Sequence, residues 1–321
     1  MELKEIDKKI LTRIFQNRNP PVSKIARELK LSRDKVDYRI KKYISEGLIR
    51  KFFTFFDYSS FGYNYLVALF LKFEKTSHVE KFTSKLKNHK NVISYGKCLS
   101  KYDLYMNAVF RNEDELSKFI SELFSSEETT LSDYLVLKPY FQEFYSMKFI
   151  DSKETDRTVF AISKINSEKE FDDKDIKIMK MLNENAWEPI VNIANKLGSS
   201  SENIIYRIKR LEKEEVILGT RIQFNLSNMG YFATLFLVDI PNLSETNKTK
   251  LKKFVKEHPG VNLFILSFSR PNCAIQIFHK SEEEMRKTIN KLKEVFKTEN
   301  LSIEVLPLEE EKVDINTLPF L

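Results

Sequence analysis

The chain has 321 residues, 42% hydrophobic and 31% charged, with a net charge of +7 and a pI of about 9.0. This composition excludes a disordered chain, predicts a globular protein of two or more domains, and leaves a basic surplus that permits an anionic partner. Seven glycines, none in a GxGxxG or GxxxxGK setting, and two isolated cysteines, Cys98 and Cys273, offer no phosphate-cradling loop, zinc site or disulfide framework.

The N-terminal stretch MELKEIDKKILTRIF is amphipathic and lacks the apolar core of a signal peptide. Ile6, Ile10, Leu11 and Ile14 form one helical stripe, which Asn19-Pro20-Pro21 stops. Val22, Ile25, Ala26 and Leu29 mark a second helix. A turn at Lys30-Leu31-Ser32 follows, with Ser32 placed as an N-cap. The third helix spans about Arg33 to Ser45, packs through Val36, Ile40, Tyr43 and Ile44, and stops at Gly47. Leu48-Ile49 and Phe52 to Phe56 then read as strands of a hairpin. Two short helices across a tight turn, the second rich in Arg and Lys, predict a winged helix-turn-helix whose second helix enters the DNA major groove. Its outward residues include Arg33, Asp34, Lys35, Asp37, Arg39 and Lys41. The expected DNA contacts are Ser32, Arg33, Lys35, Arg39, Lys41, Lys42, Arg50 and Lys51.

From Tyr65 the pattern changes to period two. The longest apolar run, Tyr65 to Leu71, is too short to span a bilayer, so a cytoplasmic protein with no membrane partner is expected. Tyr65 to Phe73, Val92 to Ser100, Leu104 to Phe110 and Leu131 to Leu137 read as strands, with helices at Val79 to Leu86 and Glu113 to Phe124. The order is the split βαββαβ, ferredoxin-like arrangement.

All of this is written twice. From Ile6 to Tyr63, adding 168 meets an equivalent residue: Asp7 meets Asp175, Tyr38-Arg39-Ile40-Lys41 meets Tyr206-Arg207-Ile208-Lys209, and Gly62-Tyr63 meets Gly230-Tyr231. Beyond, with an offset of 169, Val92 meets Val261 and Glu113 meets Glu282. The predicted fold is therefore α+β: two winged helix-turn-helix domains (1–60 and 172–228) and two ferredoxin-like domains (61–150 and 229–308) in tandem. A linker (151–171) joins the units and a tail (309–321) ends the chain. Val159 to Ile162 in the linker could dock as a strand, and the tail's Leu318-Pro319-Phe320-Leu321 either packs back or binds a partner. Each ferredoxin-like sheet has one uncovered face, so the two are expected to stack as an internal pseudo-dimer, with exchange between chains as the route to a homo-oligomer.

The copies differ in charge. Residues 1–52 hold 15 Lys or Arg against 7 Asp or Glu, whereas 172–222 hold 9 of each. Since phosphate neutralisation dominates DNA affinity, the first copy is expected to carry most of it. The second offers Ser200, Ser201, Asn203, Arg207, Lys209 and Arg210, for DNA or for a protein. Asp7 and Asp175 read as helix-start residues that favour the dipole. No nucleophile triad or metal cluster is visible, so no catalytic residue, metal or cofactor is expected.

The stretches LSRDKVDYRIKKYISEGLIRKF and GSSSENIIYRIKRLEKEEVILGTRI, with the hairpin SKYDLYMNAV, resemble the Lrp/AsnC family of transcription regulators over about residues 4–148 and 171–308. The resemblance implies sequence-specific binding of double-stranded DNA, dimer-forming sensor domains and often control by amino acids. The effector residues it would assign are Ser100 and Asp103. Ser100 replaces the usual hairpin Gly, and the second copy has Ser269, Pro271 and Asn272 there, which argues against an amino-acid effector. Two-unit versions resemble archaeal regulators, some of which recruit a basal transcription factor. That makes an adaptor acting through the second helix-turn-helix one alternative. The other is a siroheme decarboxylase-like enzyme of the same architecture, which is expected to place a His in the sensor hairpin. Cys98 to Asp103 contains none, and His89 and His258 read as loop or helix-end residues.

Overall fold

The computed structural model describes residues 3–16, 21–87, 89–125, 130–150, 158–162 and 165–321. Asn19 and Pro20, read above as a helix stop, lie outside them, as does much of the 151–171 linker.

Each unit opens with three helices: α1 (Glu5–Gln16), α2 (Val22–Leu29) and α3 (Arg33–Ser45) in the first, α6 (Asp173–Glu184), α7 (Ile190–Lys196) and α8 (Ser201–Lys213) in the second. The apolar stripes meet as the spacing demands. Ile10, Leu11, Ile14, Ile25, Val36, Ile40 and Tyr43 are buried together, and Ile178, Met179, Leu182, Ile193, Ile204 and Leu211 repeat the cluster. Burying each such aliphatic side chain contributes about 1.5–3 kcal/mol.

The hairpin expected after α3 does not form. Residues 49–56 are one continuous strand, β1 (Ile49–Phe56), because Arg50-Lys51 is no turn sequence. Its partner is β8 (Ile217–Phe224) of the other unit, antiparallel. Thus Phe224 and Leu226 join the first helical core, while Phe56 and Phe61 join the second.

The α+β halves exchange strands as well. The first contributes β2 (Tyr65–Phe73), α4 (Thr76–Leu86), β3 (Val92–Cys98), β4 (Leu104–Phe110), α5 (Glu113–Ser125) and β5 (Leu131–Leu137). The second contributes β9 (Phe232–Asp239), α9 (Glu245–Glu257), β10 (Val261–Ser267), β11 (Cys273–His279), α10 (Glu282–Val295) and β12 (Ser302–Ile315). After β5 the chain passes Lys138 and continues as β6 (Pro139–Tyr145), which pairs with β10 of the other half. Reciprocally, β12 pairs first with β9 and then with β3. The result is one ten-stranded sheet, ordered β5-β2-β4-β3-β12-β9-β11-β10-β6-β7, where β7 is Thr158–Ile162. β5 stands at one end and β6 next to last at the other, beside β7, and Lys138 alone separates β5 from β6 in the chain, so the sheet curls to bring them near each other.

Two segments pair across the boundaries expected from the sequence. Residues 139–145 pair with β10 of the second half, and the segment from 309 is strand as far as Ile315. Beyond it Thr317 donates to the Thr54 carbonyl at 2.6 Å, Leu318 is buried in the second helical core, and Phe320 stacks on Tyr63 at 4.1 Å.

Helices cover the outer sheet faces, where Val67, Leu69 and Leu71 pack with α4 and α5, and Phe236 and Val238 with α9 and α10. The alternate residues, among them Ala68, Phe70, Leu235 and Leu237, face inward and share one core. Cys98 and Cys273 are buried and free, and burial pushes the Cys98 thiol up to about 12.

Candidate nucleic-acid interface

The turn between α2 and α3 is set by Lys30, whose φ of 55° is left-handed; Leu31 N then donates to the Ala26 carbonyl at 2.9 Å. Ser32 caps α3 by accepting from Lys35 N at 3.3 Å. In the second unit Gly198 takes the left-handed position, also at 55°, and Ser200 accepts from Asn203 N at 3.2 Å. Both serines are held as caps, which fixes where each recognition helix begins.

Several residues assigned to DNA are committed internally. Arg39 forms an ion pair with the buried Asp7, and Tyr43 donates to the same carboxylate at 2.6 Å. Arg207 bonds Asp175 at 2.8 Å and Asp172 at 2.7 Å, and Arg210 also pairs with Asp175. Asp7 and Asp175 are therefore more than helix-start residues: each ties the first helix of its unit to the recognition helix. Lys51 donates to the Ile315 carbonyl at 2.8 Å. In the first unit Arg33, Lys35, Lys41 and Lys42 stay exposed, Lys41 beside Asp37 at 2.7 Å and Lys42 beside Glu46 at 3.7 Å; Arg50 is half-buried on β1. In the second, Asn203 and Lys209 are exposed and Ser201 is half-buried.

Sequence reading missed Tyr38 and Tyr206. Both are outward on their helices, 67% and 65% exposed. The available signal was their identity across the repeat at a position off the apolar stripe.

The sensor hairpin is equally self-satisfied. Asp103 accepts from Lys72 Nζ at 2.8 Å and Phe73 N at 2.9 Å, and Ser100 donates to the Val305 carbonyl at 3.3 Å. Asn272 does the matching task by accepting from Ile240 N at 3.1 Å. Asp103 and Asn272 hold the hairpins to the ends of β2 and β9, and Ser100 ties the first to β12. His89 and His258 accept from Asn91 N and Gly260 N and shape their loops.

Residues 171–212 match the AsnC-type helix-turn-helix domain, and residues 3–50 the winged helix-turn-helix DNA-binding domain. An HTH-type transcriptional regulator of Pyrococcus horikoshii is 28% identical over 127 residues, covering 39% of this chain and 84% of that protein. The HTH-type transcriptional regulator Ptr1 of Methanocaldococcus jannaschii is 29% identical over 120 residues, covering 37% and 80%. The crystal structure of the siroheme decarboxylase NirDL covers 97% of this chain and 94% of its own, with a TM-score of 0.63 at 17% identity, a likeness of fold alone. Two matched helix-turn-helix domains, with relatives named as transcriptional regulators, make this a transcription regulator of helix-turn-helix type. The chain carries two such helix-turn-helix domains in tandem and is similar to regulators of the Lrp/AsnC type.

Proposed function

We propose that the chain binds double-stranded DNA mainly through its first helix-turn-helix. The observation that carries this is the exposed face of α3, where Arg33, Lys35, Lys41 and Lys42 stand around Tyr38 in the unit that holds the basic surplus. The N-terminal residues of α3 would meet base edges, Tyr38 thymine methyls or sugar, and the later lysines phosphate. In the second unit Ser201, Asn203, Tyr206 and Lys209 are the face on offer. Its neutral charge suits weak DNA contact or a protein of the basal transcription machinery. The two units then read an asymmetric site, in a cytoplasmic protein that works without catalysis. Fluorescence anisotropy on genomic fragments tests this. Combined Lys41→Ala and Lys42→Ala should weaken binding, and each lysine-to-phosphate contact removed should flatten the log–log salt slope by about 0.9. An unchanged slope, or an equal loss on altering Lys209 and Asn203, would refute the assignment to the first unit.

The enzyme alternative gains little from the interior. None of the four histidines lines the cavity between the sheets, and His279 is buried against Phe232 and Phe236. A Soret band on adding siroheme to the chain would reinstate it.

A further inference from the structure

The recognition helices α3 and α8 occupy the same place in the repeat, hold 13 residues each and start from the same serine cap, so their outward positions compare one by one. Asp34, Tyr38 and Lys41 correspond to Glu202, Tyr206 and Lys209, which keep the charge or the ring. Three positions change kind. Arg33, Lys35 and Asp37 correspond to Ser201, Asn203 and Ile205, so each loses its charge.

The change at Ile205 has two consequences. The stripe that closes the second helical core runs through Ile204, Ile208 and Leu211, so Ile205 lies off it and stands 40% exposed beside Tyr206 at 65%. Together they present an aliphatic and an aryl surface where the first unit presents a carboxylate. In the first unit that carboxylate holds Lys41 at 2.7 Å, whereas Lys209 has isoleucine at the same spacing. The second helix therefore exchanges an acid, which repels phosphate and the acceptor atoms of bases, for apolar contact area. Beside it Asn203 Oδ1 accepts from Arg207 Nε at 3.1 Å, which leaves the amide Nδ2 to donate.

We propose that the second recognition helix reads A·T base pairs through their thymine methyl groups, with Ile205 and Tyr206 as the contacts, Asn203 donating to a neighbouring base acceptor and Lys209 on phosphate. In the major groove thymine shows a C5 methyl beside the O4 acceptor, whereas cytosine shows an N4 donor and no methyl. An apolar pair with an amide donor at its side matches the first pattern and leaves the second unmet. One methyl taken out of water is worth about fourfold in affinity, too little to hold DNA alone. The first unit supplies that hold. Because β1 and β8 fasten the two helix-turn-helix units together, a first unit on DNA presents the second at an effective concentration on the order of millimolar, and weak contacts then act as selectivity. Readout by the second unit rests on the reading of the first as the DNA grip.

Duplexes selected by the full chain from a random-sequence pool supply the probe, and thymine should recur at fixed positions in one half of them. Deoxyuridine in place of those thymines removes the methyl and nothing else. In fluorescence anisotropy the exchange should weaken binding about fourfold for each methyl contacted. In the combined Ile205→Ala and Tyr206→Ala variant the thymine duplex should bind as weakly as the deoxyuridine one. Ile205→Asp, the first unit's residue at this place, should erase the difference contributed by Ile205 and keeps the test decisive if the double variant does not fold. Combined Lys41→Ala and Lys42→Ala should weaken both duplexes by the same factor. No loss on exchange in the native chain, or an undiminished loss in either folded variant, overturns the inference and hands the apolar face to a protein partner, while the lysine effect still stands. If the lysine variant binds like the native chain, the reading of the first unit falls, and readout by the second with it.

Discussion

Asp7 and Arg39 form an ion pair that ties the first helix to the recognition helix, and the same pair recurs 168 residues later as Asp175 and Arg207. Asp7 is 4% exposed, so removing its partner strands a buried carboxylate. Arg39→Gln should therefore destabilise the first helix-turn-helix by about 2–3 kcal/mol, less than a fully buried pair because the Arg39 side chain keeps some exposure. Urea denaturation measures it. DNA affinity should fall only as far as the unit unfolds, so a fully folded Arg39→Gln protein that has lost DNA binding would make Arg39 a contact after all.

The left-handed positions are shared unevenly between the copies. Lys30 and Glu215 have φ of 55° and 59°, and their repeat equivalents are Gly198 and Gly47 at 55° and 67°. Each unit thus carries one glycine and one strained side chain. Lys30→Gly and Glu215→Gly should each stabilise by up to about 1 kcal/mol, net of the entropy glycine adds to the unfolded chain. Gly47→Ala and Gly198→Ala should destabilise by about 1 kcal/mol, from φ alone, since an added Cβ meets nothing within 4 Å at either site. Thermal melts of the four variants check the opposed signs.

The helices and the repeat were legible because they are local: apolar spacing, Ser32 before Arg33, Gly47 after Ser45. Strand exchange was not. Leu131–Leu137 and Pro139–Tyr145 differ in no local property that says which strand each joins; their partners, Leu71 opposite Tyr134 and Phe264 opposite Glu143, lie in another element and in the other unit. The same reason misplaced Arg39. Its helical position borders the apolar stripe, so only the packing of α1 reveals that it turns inward to Asp7. The cap at Ser32 was readable, but a cap and a base contact use the same residue type at the same place, and the sequence cannot separate them.

His258 and His279 are both lowered to about 4, chiefly by desolvation, from an ordinary value near 6.5. Lys148 and Lys291 oppose a charge on His258, and Glu284 favours one on His279. A folded-state pKa below the unfolded one means that stability is present above about 6.5 and is lost as the pH falls toward 4. The melting temperature should drop across that window at constant ionic strength. His279→Phe, among Phe232 and Phe236, should make the drop shallower; an unchanged slope would assign the effect to carboxylates.

The last residues close the core that the second helix-turn-helix cannot complete alone. Leu318 is 3% exposed among Ile178, Leu182 and Ile193, and Thr317 bridges the Thr54 carbonyl and Asn183 Oδ1 at 2.6 and 2.8 Å. These contacts join β1 of the first unit to α6 of the second, so the segment fastens the two units together. Leu318→Ala should cost about 2–4 kcal/mol through lost burial and the cavity left behind. Because β1 also pairs with β8, the loss should appear in one cooperative urea transition and not as separate unfolding of the second unit. A variant less than about 1 kcal/mol weaker would mean that neighbouring side chains collapse into the space and that Thr317 carries the attachment.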